Sequence, residues 1–303
     1  MFFSVQILFY SFKFAIQFSL LLHMDCTKIF NDVLTASRKM VFISEDEING
    51  VLHAVADAIT ARSSEILAAN AIDLSRMDAA DPMYDRLQLT EQRIADIAGD
   101  MRNVASLPYP IGITLEDRTL PNGLHLRKVT VPLGVIGIIY EARPNVTYDV
   151  FSLCLKSGNA CILKGGSNAY VSNSLSVSII KEVLKKHNID ENIVALLPPG
   201  HIETTQLLKA TQYVDLIIPR GGKGLINFVR ENSKVPVIET GAGVCHAYFD
   251  ELGDLSMGKR IILNAKTRRV SVCNALDCVI INRNRLPDLA SLIAGCAAKN
   301  VIV

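Results

Sequence analysis

The feature that most constrains this chain is a series of short, wholly apolar runs that alternate with helix-length segments after Gly134. The runs predict strands at 135–140, 160–164, 193–197, 214–219 and 235–238. The segments between them predict helices at 146–156, 169–186, 202–210 and 225–231. Apolar strands joined by helical crossovers are typical of a parallel sheet that is covered on both faces. We therefore predict an α/β fold with a Rossmann-like parallel sheet, which binds ligands at the carboxyl ends of its strands.

The sequence before this sheet reads as helices followed by a hairpin. Ser44 and Glu47 have the spacing of a capping box, and apolar residues then recur on one helical face. Thr90 is placed to cap a second helix. Pro121-Asn122-Gly123 signals a turn before an alternating stretch that begins at His125. We assign 24–238 to one domain that contains the helices, the hairpin and the sheet.

A second βα pattern begins at Glu239. It predicts strands at 246–250 and 275–282 and helices at 255–266 and 286–298. So narrow a sheet has open edges, which is a poor way to complete a domain. We assign 239–303 to a second α/β domain and expect it to be incomplete.

The first 23 residues differ from the rest, because they are mostly Phe, Leu and Ile with Lys13 near the middle. They have neither the basic start nor the small-residue cleavage site of a signal peptide. Marginal length and the central lysine argue against a membrane span. We interpret 1–23 as an apolar extension that is not native, with the true start at Met24. A membrane anchor and a signal segment remain the alternatives.

Composition narrows the classes of function. Basic and acidic residues nearly cancel, 31 against 30, so no basic surface is expected to attract nucleic acid. The seven cysteines are odd in number and form no CxxC pair. This pattern argues against a disulfide framework or a metal site and fits a reducing cytoplasm.

Three segments lie between a predicted strand and a predicted helix. Glu141-Ala142-Arg143-Pro144-Asn145 is either a binding loop or simply a loop in which Asn145 caps the next helix. Lys164-Gly165-Gly166 suits a phosphate or ribose group. The glycine turn, Arg220-Gly221-Gly222, would leave a helix amino terminus facing an anion, although it is neither GxGxxG nor a Walker A loop. A tight solvated turn is the alternative there.

The cysteines differ in their surroundings. Three lie in apolar runs and are expected in the core: Cys154, Cys161 and Cys278. Cys245 precedes His246, but neighbours in a strand point to opposite faces, so adjacency does not pair them. Cys273 follows the cationic stretch Lys266-Thr267-Arg268-Arg269, where positive charge favours the reactive thiolate. Chemistry alone ranks Cys273 first without deciding the matter.

Five stretches together carry a resemblance to a known family. They are VPLGVIGIIYEARPNV from Val131, SLCLKSGN from Ser152, DLIIPRGG from Asp215, GVCH from Gly243, and NAKT from Asn264 with Cys273-Asn274. These stretches resemble the γ-glutamyl phosphate reductases of the aldehyde dehydrogenase superfamily, and the similarity runs from about Met24 to the end. It implies an aldehyde dehydrogenase-like α/β fold with a second, truncated catalytic domain. Family members continue past Val303, so a missing carboxyl-terminal part is also expected.

The resemblance also implies roles for residues. Cys273 matches the catalytic thiol, Glu239 the glutamate of the preceding motif, and Asn145 the oxyanion donor. The cofactor implied is NADPH or NADP, and its candidate residues are Lys164, Gly165, Gly166, Arg220, Gly221 and Gly222. The candidates for the substrate's phosphate and carboxylate are Arg143, Lys266, Arg268 and Arg269.

The activity implied is a cytoplasmic step of proline biosynthesis, the reduction of L-glutamyl 5-phosphate to L-glutamate 5-semialdehyde and phosphate through a thioester. Glutamate 5-kinase would be the pathway neighbour, and the full-length protein would form a homo-oligomer. A hydrolytic NAD(P)-dependent aldehyde dehydrogenase is the alternative that Glu239 favours. An inactive fragment is a second alternative, and a membrane-anchored protein is a third. The residues alone do not separate NADPH from NADH.

Overall fold

A computed structural model describes residues 25–81, 83–239, 243–268, 274–299 and 301. Its internal contacts divide the chain into two compact units, one that ends at Glu239 and one that follows it. None of the helices in these ranges is both long and apolar enough to cross a membrane. The segment 1–23, on which the anchor alternative rests, lies outside the described residues.

The first unit begins with helices. They are α1 Thr27–Ser37, α2 Glu45–Ala61, α3 Ser63–Leu74, α4 Tyr84–Leu87 and α5 Glu91–Ser106. The predicted capping box is confirmed, because the Ser44 hydroxyl accepts from the Glu47 N–H and the Glu47 carboxylate accepts from the Ser44 N–H. Thr90 caps α5 by accepting from the N–H of Arg93. Both helix starts are therefore fixed by local hydrogen bonds that the sequence encodes.

A two-stranded antiparallel hairpin follows, formed by β1 Thr114–Thr119 and β2 His125–Val129. The predicted turn is confirmed, since Gly123 has a φ of +87° and its N–H donates to the carbonyl of Leu120. Almost every residue of both strands is exposed. Within this unit the hairpin is held by its own ladder rather than by burial.

Four parallel strands form the central sheet. They are β3 Val135–Tyr140, β4 Ala160–Gly165, β5 Val194–Leu196 and β6 Leu216–Arg220. Their order is β5-β4-β3-β6. Successive strands are added on one side of β3 up to β5, and β6 is then added on its other side, as in Rossmann-like sheets. Every residue of β3 and β4 is buried, which explains their continuous apolar runs. The predicted α/β fold class is confirmed.

Helices connect these strands, and one predicted strand is absent. The helices are α6 Pro144–Lys156, α7 Tyr170–Lys186, α8 His201–Leu208 and α9 Lys223–Asn232. The strand predicted at 235–238 is wrong, because only an isolated bridge joins Val237 to Ile217. The Pro236 carbonyl accepts from Ile217, but proline has no N–H with which to extend the ladder.

The second unit has two parallel strands and two helices. They are β7 Cys245–Phe249, α10 Leu255–Thr267, β8 Leu276–Ile281 and α11 Leu289–Ala297. Its described core consists of Phe249, Ile262, Leu276, Leu292 and Cys296. The core placement of Cys278 is wrong, since Leu276 is the fully buried residue of β8 and Cys278 is half-exposed. Cys154 and Cys161, in the first unit, are buried as predicted.

Candidate functional site

Three of the predicted segments meet at one edge of the central sheet. Tyr140, the last residue of β3, pairs in register with Gly165 at the end of β4 and with Arg220 at the end of β6. The turns that follow these strands therefore lie side by side. They surround the point where the strand order reverses, which is where open α/β sheets bind ligands.

The turn after β3 delivers Asn145 into the first turn of α6. Arg143 is the residue before the helix, Pro144 is the first helical residue and Asn145 is the second. The prediction that Asn145 caps this helix is therefore wrong. Its side-chain amide instead donates to Asp149 Oδ2, 3.0 Å away and one helical turn on. Asn145 is half-buried, and its second amide N–H has no hydrogen-bond partner among the described residues.

A buried chain of hydrogen bonds ties α6 to the sheet. The hydroxyls of Tyr140 and Thr147 are 2.8 Å apart, and Thr147 donates to Asn173 Oδ1 of α7 at 3.1 Å. All three residues are buried. Because buried polar groups are costly to leave unpaired, these hydrogen bonds fix the position and rotation of α6 relative to β3.

Lys164 places an ammonium group at the end of β4. The residue is 7% exposed, and Nζ makes a long hydrogen bond of 3.3 Å to the carbonyl of Gly165. Burial lowers the pKa of Lys164, while the nearby Glu203 and Cys26 oppose that shift. At Gly165 a Cβ would lie 2.4 Å from the Asn173 amide nitrogen, so only glycine fits there.

The surroundings of Lys164 include two residues that the sequence did not single out. Glu203 lies in the first turn of α8, and its buried Oε2 has no hydrogen-bond partner within the described ranges. Cys26 is buried, and burial raises the pKa of its thiol to about 11. No motif in the sequence marks this carboxylate, because Gly200 has no side chain with which to form a capping box with Glu203.

The glycine turn after β6 already faces an anion from its own unit. The N–H of Gly222 donates to Glu141 Oε2 at 3.0 Å, and the N–H of Glu141 donates to the carbonyl of Arg220 at 3.2 Å. A Cβ at Gly221 would lie 2.7 Å from Glu141 Cδ. The start of a helix favours a negative charge, and here the Glu141 carboxylate occupies that position, which sequence reasoning missed. The cofactor role of the glycine turn stays a prediction.

Glu239 is the last residue of the first unit. Its Oε1 accepts from Arg230 at 3.3 Å, and its buried Oε2 has no partner among the residues described. The carboxylate is thus anchored at one oxygen and has acceptor capacity at the other.

The remaining candidates belong to the second unit. Lys266 is half-buried on α10 and forms a long ion pair of 3.9 Å with Asp277. Arg268 is exposed at the end of that helix. Arg269 and Cys273 lie outside the described residues, so their roles remain predictions.

No family model matches the chain, but comparisons with known proteins find similar sequences and structures. A γ-glutamyl phosphate reductase from Bacteroides thetaiotaomicron is 62% identical over 263 residues, which cover 87% of this chain and 63% of that protein. The chain thus spans slightly less than two thirds of that relative's length.

Two solved structures share the fold. The γ-glutamyl phosphate reductase of Thermotoga maritima superposes with a TM-score of 0.82 at 35% identity, covering 91% of this chain and 68% of its own. The glyceraldehyde-3-phosphate dehydrogenase GapN of Methanocaldococcus jannaschii, crystallised with NADP, reaches 0.67 at 15% identity, covering 90% and 58%. The second likeness shows the fold alone. Together these similarities confirm the resemblance seen in the sequence: the chain belongs to the γ-glutamyl phosphate reductase family and has the aldehyde dehydrogenase-like α/β fold.

Proposed function

We propose that the protein reduces L-glutamyl 5-phosphate to L-glutamate 5-semialdehyde and phosphate, with NADPH as the reductant. A glutamate 5-kinase would supply the acyl phosphate, and the reaction would serve proline synthesis in the cytoplasm. The active form would be a homo-oligomer. One observation carries the proposal. Asn145, Lys164 and the glycine turn, which the family resemblance links to the oxyanion and the cofactor, lie at the carboxyl edge of one sheet.

The reaction needs a nucleophile that can hold an acyl group. The Cys273 thiolate would attack the acyl carbon, the bond from that carbon to the phosphate oxygen would break, and a thioester would remain. Lys266 and Arg268 precede Cys273 closely in sequence, and positive charge favours the thiolate.

The attack places negative charge on the acyl oxygen. The second N–H of the Asn145 amide would donate to this oxyanion, together with the backbone N–H of Cys273. Asn145 lies in the first turn of α6, where the helix dipole adds a partial positive charge. One such donor typically contributes about 10²–10³ in rate.

When bound, NADPH would supply the hydride that reduces the thioester carbonyl. The residues present fit a dinucleotide. Among the described residues, the Lys164 ammonium makes a single long hydrogen bond and so retains donors for ribose or phosphate oxygens. The N–H groups at the start of α9 suit a pyrophosphate once Glu141 moves aside. The preference for NADPH over NADH comes from the family resemblance.

Four cations are candidates for the two anionic groups of the substrate: Arg143, Lys266, Arg268 and Arg269. Arginine matches phosphate and carboxylate with two parallel hydrogen bonds. Four cations exceed what two groups require, so we expect at least one of them to be dispensable.

The test is cofactor reduction by the native-length protein that carries this sequence, with glutamate 5-semialdehyde, NADP and varied phosphate. We expect turnover that depends on phosphate and that Cys273→Ser abolishes. Turnover that Cys273→Ser leaves intact, or none in the wild type, would contradict the proposal.

The second candidate is a hydrolytic aldehyde dehydrogenase. Glu239 favours it, because its Oε2 has no partner among the described residues and a carboxylate oxygen can activate water. We expect Glu239→Gln to keep much of the phosphate-dependent rate. Phosphate-independent turnover that Glu239→Gln removes would instead favour hydrolysis.

A further inference from the structure

We infer that Asp149 is a positioning residue for the proposed reaction: its carboxylate holds the Asn145 amide in the one orientation that presents an N–H donor to the acyl oxygen. The inference rests on the proposed role of Asn145 and adds a residue that no family assignment above includes. It starts from the hydrogen bond of 3.0 Å between Asn145 Nδ2 and Asp149 Oδ2.

The helix leaves the amide little freedom other than rotation. Asn145 and Asp149 are four residues apart on α6 and so share a face. Between them, Thr147 bonds to Tyr140 of β3 and to Asn173 of α7, which fixes the backbone on both sides. What remains to be set is which end of the Asn145 amide, the NH₂ or the carbonyl oxygen, takes the donating position.

An ionised carboxylate sets that choice because it can only accept hydrogen bonds. It pairs with the amide NH₂ and rejects the flipped amide, in which two oxygens would face each other. A protonated carboxyl group, or an amide at position 149, both donates and accepts, so it tolerates either orientation. In the flipped state a carbonyl oxygen would replace the donating nitrogen and repel the oxyanion.

The groups around Asp149 bring its protonation into a pH range that can be used in experiments. Burial raises the pKa of Asp149 to about 6, and the Asn145 hydrogen bond acts against that rise. The charge of Asp100 on α5 raises the pKa further, while Arg220 at the end of β6 lowers it. The carboxylate is therefore mostly ionised at neutral pH and becomes protonated in mild acid.

The experiment measures kcat, KM and NADP affinity of the native-length protein from pH 5 to 8, for the wild type and for Asp149→Asn. At pH 7.5 we expect kcat of the variant to fall about twofold, since roughly half of the amides would flip, with KM and NADP affinity unchanged. The ratio of wild-type to variant kcat should approach one below about pH 6, because the wild-type carboxylate is then protonated too.

Two further variants separate the possible outcomes. In an Asn145→Ala background, Asp149→Asn should have no additional effect on kcat if it acts through that amide. Asp100→Asn is the matched control, because it removes a neighbouring charge without touching Asn145. It should leave kcat unchanged at pH 7.5 and move the midpoint of the ratio to lower pH.

The outcomes also separate this inference from the function on which it rests. An active wild type whose kcat falls in Asn145→Ala but is unchanged or raised in Asp149→Asn would overturn the inference and leave the proposed function standing. A pH-independent ratio would overturn it as well. An inactive wild type would overturn both.

Discussion

The two units build parallel strands and helices from the same kind of sequence, yet they bury them very differently. In the first unit, β3 and β4 are buried at every position, and the core extends from α1 to β6 and α9. In the second, the described core has five buried residues, and β8 alternates between buried, half-buried and exposed positions. Continuous burial leaves a strand without a free face, whereas the second unit's strands keep one.

This difference bears on where the proposed chemistry can be held accurately. The candidate residues of the first unit follow strands that cannot shift without disturbing the whole sheet, because packed interiors transmit displacement. Lys266 and Arg268 lie instead on a helix of which Ile262 is the buried residue. We therefore expect the first unit to supply fixed geometry and the second to supply groups that depend on their local surroundings.

The same substitution in the two cores tests the contrast most strongly. Leu52 and Leu292 are both fully buried, but Leu52 lies in the large core and Leu292 in the small one. Leu52→Ala should lower the free energy of unfolding by about 3–5 kcal/mol, and Leu292→Ala by about 2 kcal/mol, because a small core collapses more easily around the cavity. Denaturant unfolding combined with hydrogen exchange of peptides from each unit measures both values. Equal costs would contradict the contrast.

The first unit was also the easier of the two to predict. Fully apolar runs predicted the bounds of β3 and β4 to within a residue, and Ser44 predicted the start of α2. The failures came from single positions. The apolar run at 235–238 did not form a strand, because Pro236 cannot donate to the ladder. Cys278 was assigned to the core, but Leu276 is the fully buried residue of β8. A run of apolar letters shows that a segment is apolar, but not how many neighbours cover it.

The site was predictable in its parts but not in its pairings. The sequence identified the strand-end turns and Asn145 as candidates. It did not show that Glu141 fills the glycine turn or that Thr147 of α6 donates to Asn173 of α7. These contacts join residues 81 and 26 positions apart, and local periodicity carries no information over such distances.

Asn145→Ala tests whether a side chain held by the first unit can be removed with a loss of turnover but no loss of stability. The side chain is half-buried, and among the described residues its one hydrogen bond is to Asp149 on the same helix, so we expect the melting temperature to stay nearly constant. Turnover should fall about 10²–10³-fold, the effect of losing one oxyanion donor. Steady-state rates together with thermal unfolding give both values. A loss of stability that matches the loss of rate would indicate a structural role instead.

Asp149→Asn should stabilise the fold even though it lowers turnover. The pKa of Asp149 is raised from 3.8 to about 6 on folding, so the native state favours the protonated form. The contribution of Asp149 to stability is therefore most favourable below its unfolded pKa, and it decreases as pH rises towards its folded pKa. At 1.36 kcal/mol per unit, and allowing for partial exposure, the variant should gain about 1–3 kcal/mol at pH 7 and nothing below about pH 4. Unfolding midpoints across this pH range test the sign, and a stability gain that does not vary with pH would contradict the assignment.

Glu141→Gln has the smallest expected effect and tests the strand-end turn itself. Gln keeps an oxygen that can accept from the Gly222 N–H, so the cost to folding should stay below about 1 kcal/mol. It removes the negative charge that competes with a phosphate for the start of α9, and a charge at a helix terminus is typically worth about 0.3–1 kcal/mol. NADP should therefore bind about two- to fivefold more tightly, and the gain should shrink as salt screens the charge. Calorimetric titration at two salt concentrations measures this change. If binding weakens instead, Glu141 orders the turn for the cofactor rather than competing with it, and the first unit's turns would be fixed by side chains as well as by the sheet.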